Sequence, residues 1–109
     1  MRIPEKIKIG AKVYVVEETK NLSLGSANYS GEIDYCDLVI RICPNAPKKM
    51  EADLLHEMLH GVFEFLGYKN HDEKRIDELA NALHMVILDN PELFLPEKPN
   101  KIETQDSFV

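Results

Sequence analysis

Residues 50–66 carry the pattern that most limits the fold, because their apolar side chains recur at the spacing of an α-helix. The apolar positions are Leu55, Leu59, Val62 and Leu66. This spacing places one apolar face along a helix. Gly67 follows directly, where glycine commonly ends a helix. The pattern predicts a helix that is buried on one face from about Met50 to Leu66. The preceding segment PNAPKK starts this helix, with Pro47 acceptable in its first turn.

A second amphipathic helix is predicted from about Asp72 to Asp89. Its apolar positions are Ile76, Leu79, Ala80, Leu83 and Ile87. The side chain of Asp72 can cap the start of this helix, and the prolines at 91 and 96 end the pattern. The segment GYKNHDE between the two helices is a short polar connector.

The first half of the chain has the composition of β-strands. The segment KIKIGAKVYVVEE alternates apolar and polar residues around Gly10, which indicates one interrupted strand or a pair of strands. The segment EIDYCDLVIRIC forms one long strand, or two strands if residues 35–37 turn. Between them, NLSLGSANYSG indicates a loop. The predicted fold class is α+β, with two to four short N-terminal strands packed on two helices.

Length and charge limit the classes of function. A chain of 109 residues has the size of one domain, predicted at residues 1–95, with a loosely held tail at 96–109. The net charge is −6 and no run of Lys and Arg exceeds a pair, which argues against nucleic-acid binding. Apolar runs are too short for a membrane span or a signal peptide. We therefore expect a cytoplasmic protein, with Cys36 and Cys43 as thiols.

The first helix contains the pattern HExxH at residues 56–60. Residues four apart lie on one face of a helix, so His56 and His60 can direct their imidazole nitrogens at one metal ion. Glu57 lies about 100° around the helix from His56, where it can reach a water molecule beside the metal. The alternative is a core helix whose two histidines form only hydrogen bonds. The spacing and the amphipathic context favour metal binding.

The motif LLHEMLHGVF, followed by a helix of the form DEKRIDELANALHMVILDNPEL, resembles the zincin metallopeptidases. The resemblance is strongest to small metallopeptidase-like proteins of phages and mobile elements related to the ImmA/IrrE group, and it covers about residues 31–95. It implies one zinc ion and a small sheet packed on the motif helix, with a third ligand from the second helix. The metzincin extension requires Gly and His where this chain has Phe63 and Leu66, so that subclass is excluded.

Three acidic residues compete for the position of the third ligand. A helical wheel places Glu73 and Asp77 beside the apolar face and Glu78 away from it. A tightly antiparallel helix pair would instead bring residues 77 and 78 level with the metal. The resemblance favours Glu73, because related sequences carry a glutamate followed by small or aliphatic residues at the spacing found here. Asp77 could then accept a hydrogen bond from the outer nitrogen of His56 or His60.

The resemblance implies hydrolysis of a peptide or protein substrate, with Glu57 as general base for a zinc-activated water. The oxyanion partner is open among Tyr68, His71 and Tyr35. The substrate is expected along a sheet edge in the 32–43 segment. A different class of function is a zinc-stabilised regulatory or binding module with little general protease activity. A metal-free domain is a third interpretation, in which His71 is a surface residue and His84 a half-buried one.

Overall fold

The computed structural model describes residues 2–20, 22 and 30–96 and contains four strands followed by helices. The strands are β1 (Lys6–Ile9), β2 (Lys12–Glu18), β3 (Gly31–Asp34) and β4 (Val39–Ile42). The helices are α1 (Pro47–Phe65), α2 (Glu73–Asp89) and the short 3-10 helix η1 (Pro91–Phe94). The α+β class is confirmed. Apart from Pro96, the predicted C-terminal tail lies outside the described residues, as does most of the predicted loop at 21–31.

The four strands form one mixed sheet in the order β1-β2-β4-β3. Both N-terminal strand segments are pairs of strands. Gly10 turns the first pair with a φ of 62°, a conformation that favours glycine. In the second pair the carboxylate of Asp34 accepts hydrogen bonds from the backbone N–H groups of Cys36 and Asp37, at 3.0 and 2.9 Å. The sheet is antiparallel except where β2 lies parallel to β4, and β3 is an edge strand.

Helix α1 packs on the sheet and forms most of the core with it. The core residues are Tyr14, Ile40, Ile42, Met50 and Leu54. The helix begins at Pro47, which lies in the first helical turn as predicted, because proline is well suited to that position. It ends at Phe65, and Gly67 follows with a φ of 85°, as its predicted role requires. Leu66 is 52% exposed rather than buried, because the helix has ended before it.

Helix α2 packs against α1 and η1 and contacts none of the described strands. Asp72 caps it as predicted, accepting a hydrogen bond from the backbone N–H of Arg75 at 3.3 Å. The predicted buried stripe is only partly correct. Leu79 and Leu83 are 45% and 41% exposed, because α1 is the only large element that lies against this helix. His84 is more buried than predicted, at 9% exposure.

Two further sequence expectations concern the membrane and the cysteines. Within the described parts of the chain, no helix has the length and apolar character needed to cross a membrane. Neither Cys36 nor Cys43 takes part in a disulfide.

Candidate metal centre

Three side chains meet between the two long helices. His56 and His60 come from α1, and Glu73 is the first residue of α2. The Nε2 atom of His56 lies 3.1 Å from Glu73 Oε1, and the Nε2 atom of His60 lies 2.9 Å from Glu73 Oε2. One nitrogen or oxygen from each residue falls within 4.8 Å of the others, which is close enough for all three to contact a single ion.

Local structure explains why these residues meet. The four-residue spacing in α1 puts both imidazoles on the same face, and their ring centroids are 5.1 Å apart. The non-helical connector at residues 66–72 brings the chain back so that α2 starts beside His60. This explains why Glu73, at the very start of α2, reaches both histidines. The helices do run antiparallel, since His60 lies beside Glu73, His56 beside Asp77 and Glu51 beside His84. Because α2 already begins level with His60, residue 73 rather than 77 or 78 lies between the two histidines.

Asp77 and His71 contact the outer nitrogens of the two histidines. The Nδ1 atom of His56 lies 3.3 Å from Asp77 Oδ1. The Nδ1 atom of His60 lies 2.9 Å from the Nδ1 atom of His71, and the Nε2 atom of His71 lies 3.0 Å from the backbone carbonyl of Tyr68. Carbonyl and carboxylate oxygens only accept hydrogen bonds. With His71 neutral, its Nε2 donates to Tyr68 and its Nδ1 accepts the N–H of His60.

These outer hydrogen bonds determine where the free lone pairs of the histidines point. If His56 and His60 each carry the proton on Nδ1, the Nε2 atom of each presents a lone pair toward the carboxylate of Glu73. A nitrogen lone pair and a carboxylate oxygen about 3 Å apart repel each other. A cation placed between them attracts both, so the arrangement becomes favourable. Two imidazoles oriented by outer partners, together with one carboxylate, form a donor set that suits zinc.

The environment of His60 also favours its neutral form. Burial lowers the pKa of His60 below its ordinary value, and the neighbouring imidazoles of His56 and His71 act in the same direction. The carboxylate of Glu73 opposes them. A neutral imidazole is the form that binds a metal ion, so a lowered pKa reduces competition from protons.

Glu57 is buried next to the histidines, at 8% exposure. It lines a pocket of about 410 Å³ together with His60, His71 and Glu73. Burial is the main cause that raises the pKa of Glu57 to about 7; the charge of His56 lowers it, and Glu73, Asp53 and Glu32 raise it further. A Cβ atom at Gly31 would lie 3.1 Å from Glu57 Oε2, so glycine at this position leaves room for the carboxylate.

The remaining predicted site residues differ in whether they reach this pocket. Glu78 is exposed and its closest charged partner is Lys74, at 3.9 Å, so it does not join the cluster. Tyr68 is 53% exposed and approaches the site through its backbone carbonyl. Both ring nitrogens of His71 contact protein atoms. Tyr35 lines the pocket, and its hydroxyl donates to the carbonyl of His60 at 3.3 Å.

Lys69 and Glu64, which line this pocket, were not predicted from the sequence, and the surroundings predicted for His71 were wrong. His71 was expected on the surface or as an oxyanion donor, but it holds the outer nitrogen of His60. His71 lies in an irregular connector, where no helical or strand periodicity in the sequence predicts which side chains it contacts. Glu64 lies two helical turns after Glu57, which is the one signal that could have indicated it.

Comparisons with known proteins give no relatives: no protein-family model matches this chain, and neither a curated protein nor a solved structure is similar to it.

Proposed function

We propose that this chain is a zinc-dependent metallopeptidase. The observation that carries the proposal is the convergence of His56, His60 and Glu73, with Glu57 buried in the same pocket. The cluster provides three protein ligands, the number found in catalytic zinc sites that keep a position for water or substrate. The side chain of Glu73 is 69% exposed, so solvent can reach the cluster.

His56, His60 and Glu73 would hold the zinc ion. When bound there, zinc supplies an electrophile that acidifies water and polarises the carbonyl of a peptide bond. Asp77 and His71 keep the two imidazoles in the orientation and tautomer that ligation requires, through the contacts described above. Glu57 then accepts a proton from the attacking water and delivers it to the leaving amine.

The edge strand β3 supports a peptide as the substrate. Among the described strands it pairs only with β4, so the backbone groups on its other side can pair with an added strand. Gly31, Glu32 and Ile33 of this strand line the same pocket as Glu57. An extended peptide bound along β3 would therefore pass the proposed metal site. Tyr35 follows this strand directly and lines the pocket, and its hydroxyl could donate to a peptide carbonyl after leaving the carbonyl of His60.

Replacing the proposed base tests this function. The Glu57→Gln variant keeps the shape of the side chain but cannot accept the proton, so we expect hydrolysis to fall at least about 100-fold. Zinc content, measured by elemental analysis, should stay at the wild-type level. Glu64→Gln is the matched control, because it makes the same change in another glutamate of the pocket, one that takes no part in the ion pairs described for the proposed ligands. It should retain activity.

The assay uses unfolded casein and repressor-like proteins as substrates, with and without a chelator. Cleavage that requires metal and Glu57 supports the peptidase. Hydrolysis retained in Glu57→Gln would contradict the role of this residue. Zinc binding at full occupancy without hydrolysis of either substrate class would instead support the regulatory binding module.

A further inference from the structure

The apolar surface of α2 is wider than the part covered by α1. The buried positions of α2 are Ile76, Ala80, His84 and Ile87. A second stripe, which we call the outer stripe, consists of Leu79, Leu83 and Val86, and these side chains are 45%, 41% and 39% exposed. Because α2 contacts none of the described strands, this stripe stays partly exposed, although Leu83 also lines an apolar pocket with residues of α1 and η1.

The outer stripe is separate from the proposed metal centre. At about 100° per residue, its three members fall within an arc of about 60°, roughly a quarter turn from the centre of the buried positions. Glu73 and Asp77 lie on the opposite flank of the buried positions, where they contact the histidines. A partner on the outer stripe would therefore leave the metal centre open.

Opposite charges lie near the two ends of the outer stripe. Arg75 precedes Leu79 by four residues, and Asp89 follows Val86 by three. Both charged residues lie on the same flank of the stripe, on the side away from the buried positions. Among the described residues, neither side chain takes part in an ion pair. The helix thus carries an unpaired positive charge near its start and an unpaired negative charge at its end.

A second copy of the same helix complements this pattern when it runs antiparallel. A two-fold axis through the middle of the stripe places Leu79 of one copy opposite Val86 of the other. The same axis brings Arg75 of each copy to Asp89 of its partner, which gives two equivalent ion pairs. A parallel two-fold arrangement would place the charged flanks of the two copies on opposite sides of the interface, so neither ion pair would form.

We propose that the outer stripe of α2 binds a second copy of this chain, in a two-fold dimer whose α2 helices are antiparallel. The stretch from Arg75 to Asp89 is about 21 Å long. One helix pair of this length buries less area than a standard interface of about 800 Å² per partner. We therefore expect a dimer that dissociates in the micromolar range.

Sedimentation equilibrium of the full chain over a wide concentration range tests the proposal. Arg75→Glu and Asp89→Lys should each weaken the dimer at least about tenfold, because each places like charges together. The double variant exchanges the two charges and should restore dimerisation. Restoration distinguishes the antiparallel arrangement from any parallel one. Circular dichroism confirms that the variants remain folded.

Two further variants test the apolar part of the interface. Leu79→Glu should abolish the dimer, whereas Met85→Glu should retain it, because Met85 is 56% exposed but lies about 120° from Leu79. The dimer should persist in the presence of a chelator and in the His56→Ala variant. The result of the dimerisation test is therefore independent of the proposed enzymatic function. A monomer at every concentration, or a dimer unaffected by the charge changes, would overturn the proposal.

Discussion

At the residue scale, the two proposed histidine ligands differ in what holds their outer nitrogens. His56 contacts a carboxylate, Asp77, whereas His60 contacts a second imidazole, His71. A carboxylate that accepts the Nδ1 proton makes the opposite nitrogen a better electron donor and fixes the direction of its lone pair. With a metal ion bound to the histidines, Asp77 would therefore raise the metal affinity without contacting the metal.

Removing Asp77 should weaken zinc binding while leaving the fold intact. We expect Asp77→Ala to lower the affinity about 10–100-fold, the usual effect of losing an outer partner of a histidine ligand. Competition with a chromophoric chelator measures the affinity. Glu78→Ala is the control, because Glu78 is the next residue of α2, carries the same charge and lies near Lys74 rather than a histidine. Equal affinities in the two variants would contradict the role of Asp77.

The histidine pair could be predicted from the sequence, whereas the acidic residue and His71 depended on tertiary structure. A four-residue spacing in a helix fixes which side chains share a face, so the proximity of His56 and His60 follows from local geometry. The position of Glu73 depends on the path of the connector between α1 and α2. The connector has no periodic pattern, so helical geometry alone could not decide which of Glu73, Asp77 and Glu78 is the third ligand.

At the element scale, a buried polar pair joins the two long helices away from the metal centre. His84 of α2 lies 2.8 Å from Glu51 of α1, and their exposures are 9% and 7%. A buried carboxylate that loses a hydrogen-bond partner retains its desolvation cost, which exceeds the net value of the bond itself. The pair therefore favours the observed register of α2 on α1 over a shifted one.

We expect His84→Ala to destabilise the metal-free protein by about 1–3 kcal/mol, because it leaves Glu51 without this partner. Urea unfolding in the presence of a chelator measures the change. Met85→Ala is the matched control on the next residue, which is 56% exposed, and its effect should stay within about 0.5 kcal/mol. A loss in His84→Ala no larger than in the control would show that the pair does not stabilise the junction.

Local patterns located the helix starts and the possible turns between strands, although they did not decide whether those turns form, and they did not predict pairing or burial. The turns at Gly10 and at residues 35–38 divide the two strand segments, and Asp72 marks the start of α2. The parallel pairing of β2 with β4 joins distant segments that carry no local signal for each other. The exposure of Leu79 and Leu83 could not be predicted either, because periodicity identifies an apolar stripe but not the number of neighbours that cover it.

At the scale of the whole molecule, α2 is the least supported of the large elements. Among the described elements it packs only on α1 and η1, whereas α1 also packs on the sheet. A helix with one large neighbour can detach while the rest stays folded, so its backbone opens more readily than the central strands. The proposed metal centre bridges α1 and α2, and bound zinc would therefore oppose this opening.

This arrangement predicts how zinc changes the exchange of backbone amide hydrogens. At a free zinc concentration of about 100 times the dissociation constant, binding stabilises the folded state by about 2.7 kcal/mol. If opening of α2 releases the metal, its amides should exchange about 100-fold more slowly with zinc than with a chelator. The melting temperature should rise by more than about 10 °C.

Hydrogen exchange followed by NMR, residue by residue, measures the effect in α2 and in the central strands. Without metal, α2 should exchange faster than β2 and β4, because fewer elements hold it. His56→Ala is the control, since it retains both helices but loses a proposed ligand, and zinc should then slow α2 little. If zinc bound tightly to the wild-type protein without slowing α2, the metal would be held by α1 alone. Glu73 would then not be a ligand.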